Sequence, residues 1–132
     1  MSSVNSYGSR PRPAGGVELY AWLFMRISGI VLLALALGHW FIMHVFNSVH
    51  VIDYQFVAAR YLHLFWRGYD LTMLWLAMLH GTNGLRTLAD DYAKPPIRGM
   101  VMKGLYVVAA FLLVVGTWVI IAFQPAAARG MM

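Results

Sequence analysis

The sequence contains no cysteine among its 132 residues. Disulfide bonds, zinc–thiolate centres and cysteine-ligated iron–sulfur clusters are therefore excluded within this chain. Acidic residues are also scarce, with five against ten lysines and arginines. Charged residues make up 11% of the chain and hydrophobic residues 61%, whereas soluble domains have about 25% charged residues. This balance indicates a small integral membrane protein, and the few scattered basic residues do not form a nucleic-acid-binding patch.

Three apolar stretches approach the ~20 helical residues that a bilayer crossing needs. They run from about Tyr20 to Phe46, from about Tyr69 to Leu88 and from about Met102 to Phe123. The second is the shortest, because its uncharged part, Leu71 to Leu85, covers only ~22 Å of the ~30 Å hydrocarbon core. This helix must bring Asp70 or Arg86 to the membrane boundary or extend past them. Pro95–Pro96 is expected to separate it from the third helix.

The stretches divide the chain into a flexible tail (residues 1–18), a three-helix membrane domain (residues 19–124) and a second short tail (residues 125–132). A signal peptide is the competing interpretation of the N-terminus, but the apolar stretch that follows it is too long. The loop after the first stretch mixes aromatic residues with single charges. It is expected to form an interfacial helix at the outer surface, with Trp66 and Tyr69 in an aromatic belt.

Basic residues set the expected orientation, because they accumulate on the cytoplasmic side of a membrane protein. Seven of the ten belong to the N-terminal side and the second loop: Arg10, Arg12, Arg26, Arg86, Lys94, Arg98 and Lys103. Three belong to the first loop and the C-terminus: Arg60, Arg67 and Arg129. We therefore expect a multi-pass protein of the cytoplasmic (inner) membrane, with its N-terminus in the cytoplasm and its C-terminus outside.

Two histidines lie inside apolar stretches, at different depths. His39 is ~20 Å along its helix from Arg26, and His80 is ~16 Å from Asp91. Neutral imidazole in a membrane helix suits haem ligation with a partner ligand on another helix, and a helix–helix hydrogen bond is the alternative. Glycines beside both histidines would let a flat macrocycle approach the backbone: Gly38, Gly81 and Gly84.

Polar residues cluster at the end of the first two helices that is expected to be cytoplasmic. Arg26 can extend to the interface or pair with a haem propionate or a quinone oxygen. Ser28 is expected to hydrogen-bond the backbone of its own helix. Asp90 and Asp91 oppose the helix dipole, and a carboxylate beside the Tyr92 hydroxyl can support a hydrogen bond to a quinone carbonyl and relay protons.

The segment "LHGTNGLRTLADDYAKP", residues 79–95, resembles the D-type membrane anchor of succinate dehydrogenase, one of the two kinds of anchor in that family. In the D-type anchor a histidine is followed eleven and twelve residues later by Asp-Tyr, and then by a short basic loop that contains proline. The segment "AWLFMRISGIVLLALALGHWFIM", residues 21–43, is similar to the first helix of actinobacterial-type anchors. The resemblance covers residues ~19–124 and implies an all-α membrane protein that forms half of a haem-binding helix bundle shared with the C-type anchor.

The resemblance also implies the site residues. His80, and His39 in di-haem members, would be axial ligands of haem b iron, and Arg26 would lie near the propionates and the quinone. Asp91 and Tyr92 would belong to a menaquinone or ubiquinone site. Arg86, inside the motif, departs from the family pattern, and it could serve either the quinone site or the haem propionates. The implied partners are the C-type anchor, the iron–sulfur subunit and the flavoprotein subunit, of which the last two dock on the cytoplasmic face. The chain would pass electrons to quinone within a succinate dehydrogenase or fumarate reductase and would not be catalytic alone.

Two other functions are compatible with parts of the sequence. The chain could be a structural anchor without haem, in which His39 and His80 only link helices. It could also be a transporter or channel component, whose intramembrane polar residues should line a path across the bilayer. The clustering of polar residues at one end and the almost wholly apolar third helix disfavour a pore.

Overall fold

The computed structural model describes residues 16–124, and all regular secondary structure in that range is helical. The predictions for the two tails, residues 1–18 and 125–132, fall almost entirely outside it, as do Arg10, Arg12 and Arg129. The elements are α1 (Val17–Phe41), a π-helical turn (Ile42–Phe46), a 3-10 turn (Val49–Val51), α2 (Tyr54–Tyr61), α3 (Leu64–Tyr92) and α4 (Ile97–Ala122).

Helix α1 begins directly after Gly16, whose φ of 140° is a backbone conformation that favours glycine. Its helical path continues through the π-helical turn, and the Asn47 side-chain amide closes that end by donating to the Ile42 carbonyl at 2.7 Å. The helical stretch Leu19–Phe46 and the helix Ile97–Ala122 are long and apolar enough to cross a membrane. They correspond to the first and third stretches expected from the sequence.

Helix α3 is longer than the second apolar stretch predicted. Its 29 residues begin at Leu64 and end at Tyr92, so it extends past both Asp70 and Arg86. Trp66, which the sequence placed in the outer loop, therefore lies in the first turn of α3, ahead of the predicted start at Tyr69. Within that loop, α2 provides the expected short helix. Its N-terminus is capped by the Asp53 carboxylate, which accepts a hydrogen bond from the Phe56 amide at 2.9 Å.

Helix α3 lies between α1 and α4 and runs antiparallel to both. The Tyr69 hydroxyl donates to the Leu35 carbonyl of α1 at 2.5 Å, and the Trp75 indole donates to the Thr117 hydroxyl of α4 at 3.0 Å. A Cβ atom at Gly116 would lie 2.7 Å from Leu74 Cδ2, so glycine permits the close approach of α4. The start of α1 and the α3–α4 turn consequently share one end of the molecule.

The opposite end contains a buried ion pair between α2 and α3. Arg60 is 9% exposed, and its Nη2 lies 3.6 Å from Asp70 Oδ1. The same guanidinium lies 4.3 Å from the centroid of the Trp66 ring, a geometry typical of a cation–π contact. Burial and, after it, the negative charge of Asp70 raise the pKa of Tyr61 above its ordinary value. These contacts hold α2 against the first turns of α3.

Arg67 ties three chain segments together at this end. Its Nε donates to the Tyr61 carbonyl at 2.7 Å, and its Nη2 donates to the Phe123 carbonyl at 2.7 Å. The guanidinium thereby satisfies carbonyls at the C-terminal ends of α2 and α4 that have no partner inside their helices. By sequence alone Arg67 is an orientation marker, whereas the fold uses it as a structural link.

Apolar side chains cover the surface of the three long helices. Within residues 16–124, no large apolar side chain is fully buried, and the buried residues are Ser28 and Arg60. A row of three helices has no enclosed centre, so most apolar area remains for lipid or for other subunits.

Candidate functional site

A hydrogen bond between two side chains joins α1 and α3 at Ser28 and His80. The Ser28 hydroxyl lies 2.8 Å from His80 Nδ1, and Ser28 is only 2% exposed. A Cβ atom at Gly29 would lie 3.3 Å from His80 Cε1, so α1 presents its smallest residue to the ring. The orientation of the imidazole is therefore fixed by a hydrogen bond at Nδ1 and by close packing at Cε1.

The hydrogen bond also distinguishes the two ring nitrogens of His80. A serine hydroxyl can accept from Nδ1–H, and in that tautomer Nε2 carries the lone pair. The only side-chain hydrogen bond of His80 within residues 16–124 is the one at Nδ1. The expectation that Ser28 bonds its own helix backbone is wrong, because the hydroxyl is used across the helix interface. This contact could not be recognised from the sequence, because it is the register between α1 and α3 that brings Ser28 opposite His80.

His39 lies at a different level of the molecule from His80. It is 11 residues beyond Ser28, which places it ~16 Å farther along α1 and within ~20° of the same face. Its neighbour Gly38 packs against Tyr69, whose hydroxyl would lie 3.0 Å from a Cβ at that position. Gly38 thus serves helix packing rather than leaving open space for a macrocycle. Around Gly81, in contrast, a Cβ would meet nothing within 4 Å.

The structure separates the two arginines from the Ser28–His80 contact. Arg26 is two residues from Ser28 and so projects ~160° around α1 from it. Its guanidinium lies 4.3 Å from the centroid of the Trp22 ring. Arg86 projects ~120° around α3 from His80 and is half-buried, and its Nε has no hydrogen-bond partner among the described residues. Neither arginine contacts His80.

The two neighbouring aspartates at the end of α3 have different surroundings. Asp90 Oδ1 lies 2.7 Å from Arg98 Nη2 and 2.8 Å from Arg98 Nε, so it links the ends of α3 and α4 across the turn. Asp91 has no ion pair in the described part of the chain. It lies within ~20° of the His80 face of α3, ~16 Å farther along. The residue pattern did not separate Asp90 from Asp91, and the resemblance favoured Asp91; the fold gives Asp90 a structural partner.

Tyr92 borders an apolar cleft beside the α3–α4 turn. The side chain is 80% exposed, and the cleft has a volume of about 420 Å³ between the last turns of α3 and the first turns of α4. Leu85, Leu88 and Val101 contribute to its walls. This size lies within the range of small-molecule sites, so the phenol stands at the edge of an apolar space, with the carboxylate of Asp91 next to it in the chain.

Neither His80 nor His39 belongs to a cluster of possible metal ligands. Within residues 16–124, no three histidine, cysteine, aspartate or glutamate side chains come together in a group that could hold a metal ion. Each histidine instead offers a single imidazole from one helix. Such an arrangement suits an axial position of a metal that brings its other ligands with it, as a porphyrin does.

Comparison with known protein families gives a match over most of the chain. A family model described as succinate dehydrogenase/fumarate reductase transmembrane subunit matches residues 12–123. The matched region contains every helix from α1 to α4. A comparison with curated proteins gave no match.

Proposed function

The chain belongs to the family of transmembrane subunits of succinate dehydrogenase and fumarate reductase, and on this premise we propose that it is a D-type anchor that carries electrons through haem b to quinone. The observation that carries the proposal is the Ser28–His80 contact, which holds Nδ1 at 2.8 Å and leaves Nε2 for an iron atom. A positioned imidazole is the residue type that haem ligation needs.

The proposed anchor crosses the cytoplasmic membrane three times, through α1, α3 and α4. Helix α3 runs antiparallel to two helices that are apolar enough to span a bilayer. Its 29 residues measure ~44 Å, longer than the ~30 Å hydrocarbon core. Asp70 and Arg86 are then ~24 Å apart and lie near the two membrane boundaries. The α3–α4 turn would face the cytoplasm, and α2 would lie on the outer surface.

The proposed haem sites use one histidine at each depth. His80 would ligate the haem nearer the cytoplasmic side and His39 the haem nearer the outer side, with the second axial ligands supplied by the C-type anchor. A bound haem supplies a one-electron redox centre. The chain itself contributes the ligand nitrogen, the orientation of the His80 ring by Ser28 and the apolar helices that exclude water. Arg26, which projects away from Ser28 on α1, would meet a propionate or quinone oxygen at the interface with the C-type anchor.

The proposed quinone site lies at the cytoplasmic end of α3. Tyr92 at the rim of the apolar cleft would donate a hydrogen bond to a quinone carbonyl, and Asp91 would supply protons from the aqueous side. Menaquinone and ubiquinone share the two carbonyl oxygens that this arrangement addresses. The flavoprotein and iron–sulfur subunits would dock on the same face and deliver the electrons.

The test is the haem-to-flavin ratio of the intact complex, measured with its reduced-minus-oxidised visible spectrum. We expect two b-type haems per flavin, with His80→Ala and His39→Ala each removing one. His44→Ala is the matched control, because His44 is exposed and bonds the Trp40 carbonyl of its own helix at 3.1 Å. A wild-type complex without a b-type absorbance band would refute haem binding, and loss of the same single haem in both variants would establish a one-haem arrangement.

A haem-free structural anchor is the second candidate. The observation in its favour is the same Ser28–His80 hydrogen bond, because a contact of this kind links membrane helices without any cofactor. In that case, Ser28→Ala and His80→Ala should weaken assembly of the complex equally, and its visible spectrum should contain flavin and iron–sulfur bands only.

A further inference from the structure

A second cleft lies on the side of α3 that faces away from His80. It has a volume of about 330 Å³ and runs along the interface of α3 and α4. Leu79 and Leu113 provide apolar walls, and Ala109 and Ala110 leave the space that larger side chains would fill. Leu79 and Thr82 project ~100° to 160° around α3 from His80. The cleft is therefore separate from the proposed haem face, and we refer to it as the α3–α4 groove.

One end of the groove is polar. Thr82 and Asn83 line it on α3, and Tyr106 lines it on α4. Arg86 follows Thr82 by one helical turn, and Lys103 precedes Tyr106 by about one turn on the same face. Trp75 of α3 contacts Thr117 of α4, which fixes the register of the two antiparallel helices. In that register, Arg86 and Lys103 lie at the same level to within about one turn. Helix geometry thus places two cations about one turn beyond the polar end of the groove, on the side nearer the α3–α4 turn.

Arg86 lacks an acceptor for its guanidinium Nε. This atom is buried and has no hydrogen-bond partner among residues 16–124, and the nearest acidic side chain on its face, Asp90, is already paired with Arg98. A buried charged donor without a partner is costly. Phosphate oxygens are acceptors that match the donor geometry of a guanidinium, so the mouth of the groove has the chemistry of a phosphate site.

The length of the groove matches one leaflet of a bilayer. From Lys103 to Leu113 is ~15 Å along α4, which is half of the ~30 Å hydrocarbon core. An apolar groove that starts at the headgroup level and ends at the midplane has the reach of a single acyl chain. We infer that the α3–α4 groove binds one anionic phospholipid of the cytoplasmic leaflet, with its phosphate on Arg86 and Lys103 and one acyl chain between the helices. The inference rests on the proposed crossing of the membrane by α3.

The inference gives Arg86 a role other than the two cofactor contacts that the sequence left open. A contact with the haem of His80 would require that side chain to reach ~120° around α3 to the His80 face. A lipid phosphate at the headgroup level would meet Arg86 and Lys103 without that movement. Positively charged residues near an anionic leaflet each contribute about fivefold in binding, equivalent to ~1 kcal/mol.

The experiment is native mass spectrometry of the intact complex after exchange into mixed phosphatidylglycerol and phosphatidylcholine. We expect wild type to retain one phosphatidylglycerol per copy of this chain. Arg86→Gln and Lys103→Gln should each lower its occupancy about fivefold. Lys94→Gln is the matched control, because it removes the same charge from an exposed residue of the α3–α4 turn. A second variant, Ala110→Phe, fills the groove without changing charge and should displace the lipid while the basic residues remain.

The same preparations are assayed for haem-to-flavin ratio and subunit content, which separates this inference from the proposed function. Equal phosphatidylglycerol occupancy in wild type and Arg86→Gln, or an equal decrease in Lys94→Gln, overturns the lipid site. Loss of haem with retained lipid in Arg86→Gln also overturns it and assigns Arg86 to a propionate. If Ala110→Phe releases another subunit while lipid occupancy is unchanged, the groove is a helix interface and the inference is wrong. A wild-type complex that retains the lipid but has no haem would support the groove and refute only the proposed haem sites.

Discussion

Removal of the Ser28 hydroxyl is the most direct perturbation of the proposed haem site. Ser28→Ala deletes the group that lies 2.8 Å from His80 Nδ1 and leaves the ring nitrogen without a partner in a site where Ser28 is 2% exposed. An unsatisfied buried donor costs about 1–3 kcal/mol, and each 1.4 kcal/mol corresponds to about tenfold in affinity. Because His80 is only half-buried, the lower part of this range applies, and we expect haem retention to weaken by about tenfold.

The hydrogen bond should also influence the iron itself. When the Ser28 hydroxyl accepts a hydrogen bond from Nδ1–H, the imidazole becomes a stronger electron donor at Nε2, and a stronger donor favours the ferric state of the iron. Ser28→Ala is therefore expected to raise the midpoint potential of the haem ligated by His80, while the second haem is unchanged. A redox titration of the visible spectrum, together with haem content after gel filtration at increasing detergent, measures both effects.

Thr72→Ala is the matched control for this prediction. It also deletes a hydroxyl from a long helix, but the Thr72 hydroxyl donates to the Gly68 carbonyl of its own helix at 2.7 Å. If Ser28→Ala leaves haem content and both midpoint potentials unchanged, Ser28 does not position His80 and the reasoning from the hydrogen bond is refuted. An equal loss in Thr72→Ala would attribute the effect to general weakening of the fold.

Three further predictions address other parts of the molecule. Asp91→Asn should lower succinate–quinone turnover of the assembled complex by about a hundredfold if the carboxyl supplies protons. Asp90→Asn breaks only an exposed ion pair and should leave the turnover within about twofold of wild type. Similar turnover in both variants would contradict the assignment of Asp91. Gly116→Ala places a Cβ 2.7 Å from a leucine of α3 and should destabilise the complex by about 1–3 kcal/mol, measured as a lower Tm. Gly104→Ala is the control and should leave the Tm unchanged, because nothing lies within 4 Å of a Cβ at that position. Arg67→Ala removes donors from two helix ends and should cost about 1–3 kcal/mol, with faster proteolysis after α4; unchanged protection would show that the link is dispensable.

Composition and apolar length predicted the positions of the long helices closely. They predicted the residues at which those helices begin and end less well. Pro95–Pro96 separates α3 from α4 as expected, because proline cannot continue a helix from the preceding residues. The first apolar stretch ends at Phe46, where the π-helical turn ends. Helix α3 begins at Leu64, before the predicted start at Tyr69, since charged residues such as Arg67 interrupt an apolar pattern without interrupting a helix. The two apolar helices and the family of the chain are confirmed, and the haem and quinone residues stay predictions.

The sequence by itself determined that the chain is a helical membrane protein and which residue types could carry electron-transfer chemistry. The lengths of the apolar stretches, the spacing from His80 to Asp91–Tyr92 and the absence of cysteine can be read directly from the linear sequence. Only the tertiary structure decided that Ser28 meets His80, that Asp90 pairs with Arg98 and that Arg86 Nε is buried without a partner among the described residues. These side-chain contacts depend on the register and rotation of the antiparallel helices, because a shift of one residue turns a side chain by ~100° around its helix. That rotation is set by packing at glycines such as Gly29 and Gly116, which a linear pattern does not encode.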